Sequence, residues 1–396
     1  MKRVNAPGSL ETLRRRNRGL VLRAVQSGGA TSRVDIVRAT GLSRTTVSSL
    51  VNQLIAQGLL AESTDRLGAP AANQTGRPPT RLTLEPSGGA VLGIHLRHDG
   101  IRLALADLSG AVLAEALVDL DVDHRADAAL SFVEEATDGL LVEAGMARRR
   151  LLGAAVAISS PVPTLARHGP SLLTTWHDID VADALTTRLG VPVQVGNDAN
   201  LGATAKRFFG AARTTRNLVY VMLAEGVGAG LYLDSHAYFG GKGVAGEFGH
   251  VVVAPGGRVC RCGNRGCLET VASTTVMLEL LGRTSPTTIA TSDIVRAALG
   301  GDHATLRIID DAGLAVGRSV ASIVNLVNPE TVVIGGPLAG LGELLLDPIR
   351  RGLAIYSVPM LSETTELVMS SLGEEAEALG AVALVLRQAG LHTPIG

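Results

Sequence analysis

Apolar residues recur at helical spacing in three stretches near the N-terminus, then give way to alternating strand and helix patterns. Leu10, Leu13, Leu20, Val21 and Val25 predict a helix over 9–26, stopped by Ser27-Gly28-Gly29. A second helix is expected within 31–41, with Thr31 or Ser32 as cap, Val34, Ile36, Val37 and Ala39 apolar, and Gly41 at its end. Ser43 can cap a third over 44–57, with Val47, Leu50, Val51 and Leu54 inward and Gly58 closing it. Two short helices around a Gly-containing turn, the second rich in outward Ser and Thr, make a helix-turn-helix pattern. Strand-like segments at 59–62 and 81–84 flank a polar loop and read as a wing.

From residue 90 the pattern is α/β. Strands are expected at 90–96, 101–107, 111–119, 152–158 and 191–195, with helices at 126–144 and 181–189. A second βα half begins near 218–223 and 230–233, and the apolar strand 331–334 ends in Gly335-Gly336. The division expected is a winged helix-turn-helix over 1–84, a linker over 85–89 (Glu-Pro-Ser-Gly-Gly) and a larger domain over 90–396.

Charge sharpens this division. The 396 residues carry a net charge of -1, yet residues 1–84 hold 13 basic and 4 acidic side chains, leaving 23 basic and 33 acidic for the rest. A basic head on an acidic body points to a polyanionic partner for the head. Aromatics are only 3%, which argues against a stacking platform for single-stranded nucleic acid. With no long apolar run and no signal-peptide pattern, a cytoplasmic protein with no membrane association is expected.

All three cysteines fall within eight residues, as Cys260-Arg-Cys262-Gly-Asn-Arg-Gly-Cys267, ten positions after Gly246-Glu247-Phe248-Gly249-His250. An odd, clustered set is no disulfide framework. Three thiolates and one imidazole satisfy a tetrahedral Zn2+, and four protein ligands leave no open position, so a structural zinc held by His250, Cys260, Cys262 and Cys267 is expected.

His-x9-Cys-x-Cys-x4-Cys-x-Glu after Gly-Glu-x-Gly-His resembles the signature of the ROK family of repressors, open reading frames and sugar kinases. Val195-Gly196-Asn197-Asp198-Ala199-Asn200, the run Glu225-Gly226-Val227-Gly228-Ala229-Gly230-Leu231 and Val333-Ile334-Gly335-Gly336-Pro337 are similar to further family motifs, in family order. The resemblance implies an actin-like, two-lobed sugar-kinase fold with a sugar in the cleft. It places Asn197, Asp198, Glu247, His250 and Glu269 on the sugar hydroxyls. Their chemistry suits this role, because carboxylates accept several hydroxyl bonds and Asn both donates and accepts. His250 would bind zinc through one nitrogen and orient a hydroxyl with the other.

The departures from the family pattern bear on activity. Family kinases carry Asp-x-Gly-Gly-Thr in a hairpin that approaches ATP phosphates. This chain has His95 at the acidic position and Arg97-His98-Asp99 in place of Gly-Gly-Thr. Side chains fill the phosphate cradle, Asp99 adds negative charge, and Glu225 is a poor neighbour for a nucleotide. No catalytic residue is therefore expected, although Asp198 keeps the position of a would-be base. Ser159-Ser160-Pro161-Val162-Pro163 replaces a Pro-Gly-Pro-like turn over the sugar, and Trp176 suits either a sugar face or core packing.

In the head, the start of the second short helix, Arg44, Thr45, Thr46, Ser48 and Ser49, is expected at base edges in the major groove. Gly76-Arg77-Pro78 is similar to the wing tip of ROK repressors, with Arg77 aimed into a narrow minor groove. The reading is a sugar-responsive transcriptional regulator, a repressor rather than an activator. Its partners would be a double-stranded DNA operator and a sugar or sugar-phosphate effector, bound by a homodimer or dimer of dimers. The alternative is an active ATP-dependent sugar kinase with a DNA-binding appendage.

Overall fold

The structure, a computed structural model, describes residues 10–26, 32–63, 81–160, 162, 176, 178–210, 212–282 and 290–391. Three helices open the chain: α1 (Leu10–Gln26), α2 (Arg33–Thr40) and α3 (Arg44–Ala56). Ser32 caps α2 through its hydroxyl and Gly41 ends it in the left-handed conformation, while Ser43 caps α3. Val47, Val51 and Leu54 turn inward from α3. Strands β1 (Leu60–Ser63) and β2 (Arg81–Leu84) pair antiparallel, and the loop between them lies outside the described residues.

Residues between β2 and the body are packed. Pro86–Gly88 forms one 3-10 turn, and a Cβ on Gly88 would stand 2.0 Å from the Gly58 carbonyl. Arg150 donates to the carbonyls of Gln57 and Gly88, joining helix end, turn and body.

The first lobe holds β3 (Ala90–Leu96), β4 (Gly100–Asp107), β5 (Val112–Asp119), α4 (Ala126–Glu143), β6 (Leu151–Ile158), α5 (Val181–Leu189) and β7 (Val193–Asn197). Its sheet runs β5-β4-β3-β6-β7, antiparallel on the β5 side and parallel on the β7 side. Strand β7 starts two residues later than the sequence pattern indicated. Gly190 caps α5 and Pro192 has no N–H to donate, so pairing begins at Val193.

Helix α6 (Asp198–Phe208) leaves β7 for the second lobe, which is built from β8 (Leu218–Leu223), β9 (Val227–Leu233), β10 (His236–Tyr238), α7 (Glu269–Ala272), α8 (Thr274–Gly282), α9 (Thr291–Leu299), α10 (His303–Val327), β11 (Thr331–Gly335), α11 (Glu343–Tyr356), α12 (Pro359–Thr364) and β12 (Glu366–Met369). Its sheet, β10-β9-β8-β11-β12, repeats the order and strand directions of the first. Two equivalent lobes around a cleft give the actin-like plan. The last helix, α13 (Ala376–Ala389), returns to the first lobe and packs on β3, β6 and α6.

A single apolar core joins the head to the first lobe: Val21, Leu22, Ile36, Val51 and Leu82 share it with Leu379, Val382 and Leu386. At its edge Gly19 of α1 lies against Gly390, the left-handed cap of α13, so closely that a Cβ on Gly390 would stand 2.2 Å from the Gly19 Cα. A second core fills the lobe of β8–β12, and a third lies between the first sheet and α4–α5.

Candidate functional site

Between the lobes lies a cleft enclosing about 920 Å³ of open space. All five sugar-site candidates, Asn197, Asp198, Glu247, His250 and Glu269, line it. Residues up to 72 positions apart meet there because the ends of both central sheets point at it.

Asn197 ends β7 and caps α6. Its Oδ1 accepts from the Asn200 N–H at 3.1 Å, and its Nδ2 donates to the Ser160 carbonyl at 3.3 Å and to Asp198 Oδ1 at 3.0 Å. This turn-shaping role coexists with a place on the cleft wall. Asp198 is 3% exposed and accepts from the Ala199 N–H at 2.7 Å. Burial pushes its carboxyl up to about 6, against the hydrogen bonds from Ser159 and Ala199 that favour the charged form.

Glu247 and His250 sit on a tight turn pressed against β9. Gly246, at φ +100°, makes the approach possible, since a Cβ there would stand 2.0 Å from the Ala229 carbonyl. Glu269 opens α7 and receives Arg261 on both oxygens, at 2.9 and 3.2 Å. Burial, with Glu269 adding to it, raises the Glu247 carboxyl, while His250 and Arg261 oppose the shift.

The ligand atoms of His250, Cys260, Cys262 and Cys267 all lie within 4.8 Å of one another. Cys260 Sγ is 3.6 Å from His250 Nδ1, and Cys262 Sγ is 3.7 Å from Cys267 Sγ. Metal–sulfur legs of about 2.3 Å at tetrahedral angles separate two sulfurs by about 3.8 Å, so the donor set and spacing fit a four-coordinate ion. Gly266, at φ +67°, folds the loop against the Ala254 carbonyl, where any Cβ would clash. With Nδ1 turned to the sulfurs, the other His250 nitrogen, Nε2, is 3.7 Å from Glu247 Oε2.

Opposite these residues stands the altered hairpin. Arg97 donates through Nε and Nη2 to the two oxygens of Asp99, each at 2.9 Å, and through Nη1 to Glu374 at 3.0 Å. His98 Nδ1 is 2.8 Å from Asp123. His95 is 6% exposed, with Nδ1 3.9 Å from Glu377 Oε2. Burial and the charges of Arg97 and Arg102 push its imidazole down to about 3, so it is neutral.

Glu377, on the first turn of α13, was not singled out by the sequence reading. It is buried, lines the cleft and accepts the Tyr220 hydroxyl at 2.9 Å. Lys206 lies over the Tyr220 ring at 5.0 Å, and its Nζ has no hydrogen-bond partner among the described residues. Burial raises the Glu377 carboxyl and lowers the Lys206 ammonium. The available signal was a lone Glu on the apolar face of Ala376–Ala389. Trp176 is absent from the cleft lining. It is 3% exposed in the third core, and its Nε1 donates to the Val122 carbonyl at 2.7 Å, so of the two readings left open the structure selects core packing.

In the head, Arg44, Thr45, Ser48 and Ser49 are exposed on α3. Thr46 is half-buried, and its hydroxyl is 2.8 Å from the capping Ser43 Oγ, which leaves it less free to reach outward. Arg77 lies outside the described residues. Among the described residues no helix is long and apolar enough to cross a membrane.

The ROK family model matches residues 91–388 and a MarR family model matches residues 15–67. The xylose repressor of Bacillus spizizenii is 30% identical over 382 residues, 93% of this chain and 94% of the repressor. A glucokinase of Thermotoga maritima is 35% identical over 229 residues, but this covers 54% of this chain and 72% of the kinase. The crystal structure of a ROK family transcriptional regulator described as a homologue of Escherichia coli Mlc superposes with a TM-score of 0.77 at 26% identity, over 96% of this chain and 97% of that one. A winged helix-turn-helix head, two repeated lobes and a loop of one histidine and three cysteines at the cleft thus occur together, and the chain belongs to the ROK family.

Proposed function

We propose that the chain is a sugar-responsive repressor whose sugar-kinase domain senses its effector without phosphorylating it. The observation that carries this reading is the cleft itself. Hydroxyl-binding side chains from both lobes converge on it, while the phosphate hairpin at the end of β3 is occupied by Arg97, His98 and Asp99. A nucleotide needs bare backbone donors and a cation there, and phosphoryl transfer depends on that positioning. The head supplies a capped helix with Arg44, Thr45, Ser48 and Ser49 exposed for an operator, and full-length similarity to a repressor supports the assignment.

Asn197, Asp198, Glu247, His250 and Glu269 hold the sugar in this reading, with Thr46 and Arg77 completing the DNA contacts. His250 and the three cysteines hold zinc, which fixes the loop carrying His250 and Glu247; His250 Nε2 remains for a hydroxyl. Residues 1–84 form the DNA-binding unit, 85–89 the junction and 90–396 the sensor. The protein works in the cytoplasm as a homodimer or dimer of dimers, because two heads match two operator half-sites. Sugar binding favours one lobe arrangement and so changes operator affinity, by as much as it discriminates between the two arrangements.

A sugar screen by thermal shift, followed by operator footprinting with and without each hit, tests the proposal. A hit that alters the footprint supports it. Ordinary kinase turnover lost in Asp198→Ala would establish the kinase reading instead.

A further inference from the structure

We propose that the cleft selects a sugar without an anionic group and rejects its phosphate ester, with Glu225 and Glu374 as specificity-determining residues. The inference rests on the sugar-binding reading above and narrows it to a chemical class.

The lining carries six carboxylates, on Asp198, Glu225, Glu247, Glu269, Glu374 and Glu377, against two guanidinium groups, on Arg97 and Arg261. Neither guanidinium is held open for an incoming anion. Arg261 is paired to both oxygens of Glu269, and Arg97 is held by Asp99 and Glu374, with Glu225 also near enough to stabilise its charge. Arg102 only adds a second cation to the same Glu374, at 3.6 Å.

The glycine-rich run, the second place where a phosphate would seek backbone donors, is occupied by the protein itself. The Val227 N–H donates to Glu269 Oε2 at 3.4 Å. Glu269 and Arg261 also press on Gly226, where a Cβ would stand 3.0 and 3.1 Å from them. An internal carboxylate therefore stands where an external anion would bind.

A phosphate ester is rich in acceptors and charged, and meets a wall rich in acceptors and like-charged. It must displace the buried Glu269 from Arg261, leaving a carboxylate unpaired, or take Arg97 from Glu374, which then keeps only Arg102 and still faces the anion as a like charge. A neutral sugar offers hydroxyl donors to the same oxygens at no such cost. The Arg97 side chain, which at first suggests a phosphate anchor, instead neutralises acids that would otherwise repel one another.

The test is calorimetric titration of the metal-loaded full chain with paired probes. These are D-glucose against D-glucose 6-phosphate, N-acetyl-D-glucosamine against its 6-phosphate, and other free pentoses and hexoses, with inorganic phosphate and ATP as sugar-independent anions. The expected result is a free sugar that binds at least about tenfold more tightly than its phosphate, a difference of about 1.4 kcal/mol, with no binding of phosphate or ATP. Raising the salt concentration should narrow the ratio, because the discrimination is Coulombic. The variant Glu225→Gln/Glu374→Gln should narrow it as well.

A phosphate ester that binds as tightly as the free sugar, or a ratio unchanged by both salt and the double variant, overturns the inference while leaving the sugar-sensor reading intact. If no sugar binds in either form although the chain is folded and metal-loaded, both fail.

Discussion

The Tyr220 hydroxyl donates to Glu377 Oε1 at 2.9 Å, tying β8 of the second lobe to α13 of the first where Glu377 lines the cleft. Both groups are buried, so Tyr220→Phe leaves a carboxylate short of a donor and should destabilise the protein by about 1–3 kcal/mol. The effect has a definite sign with pH. Burial raises Glu377 above its ordinary 4.5, so the folded state holds a proton that the unfolded state releases, and this group's contribution falls as pH rises through that range. Removing the Tyr220 donor raises it further. Denaturant unfolding should therefore show a larger loss for Tyr220→Phe at pH 8 than at pH 5; equal losses would argue against a charged Glu377.

Asp198 should be needed in its ionised form by the effector. Asp198→Asn is expected to weaken sugar binding about 10–100-fold, the range of a lost charged hydrogen bond, with operator affinity retained. Because burial pushes Asp198 up to about 6 from 3.8, its contribution to stability falls as pH rises between these values. The sugar-free Asp198→Asn protein should therefore melt at or above wild type at pH 8. Sugar affinity of the wild type should drop about tenfold per unit below pH 6. Calorimetry at several pH values checks both signs.

Metal analysis of purified protein should find about one zinc per chain. Cys267 is fully buried, so Cys267→Ser is expected to lower the melting temperature. It should also weaken sugar binding, since Glu247 and His250 share the loop. Retained sugar affinity in a metal-free chain would separate the two sites.

Operator binding should fall steeply with salt, as neutralised phosphates release counterions. Arg44→Ala is expected to cost about 1–3 kcal/mol at a matched site if it contacts a base. Ser48→Ala should shift base preference. A uniform loss across sequences for Arg44→Ala would reassign it to the phosphate backbone.

Much of this was legible in the sequence because it is local. Ser32, Ser43 and Gly41 mark helix ends by their own chemistry, β3 follows from its continuous apolar run and α5 from helical periodicity, and the Cys spacing implies its cluster. The five cleft residues came from motif resemblance, and the structure adds that they line one cleft from both lobes. What the sequence hid depends on long-range approach. Glu377 meets Tyr220 from 157 positions away, Arg97 meets Glu374 from 277, and no periodicity encodes either meeting. Trp176 was ambiguous because an indole suits a sugar face and a core equally, and its burial in the third core and its bond to Val122 decide.

The contact of Gly19 with Gly390 would let α13 act as a lever. Its 14 residues span about 21 Å at 1.5 Å each, with Glu377 at the cleft end and the DNA-binding head at the other. A tilt of about 5° about the cleft end carries the far end about 2 Å, enough to repack a close helix contact. Two facing glycines leave no side chain to absorb such a stroke, so it would pass backbone to backbone into α1. Gly19→Leu would insert a cushion at that bearing. Such a protein would still bind sugar and still fit its operator, but the two events would no longer keep time with each other.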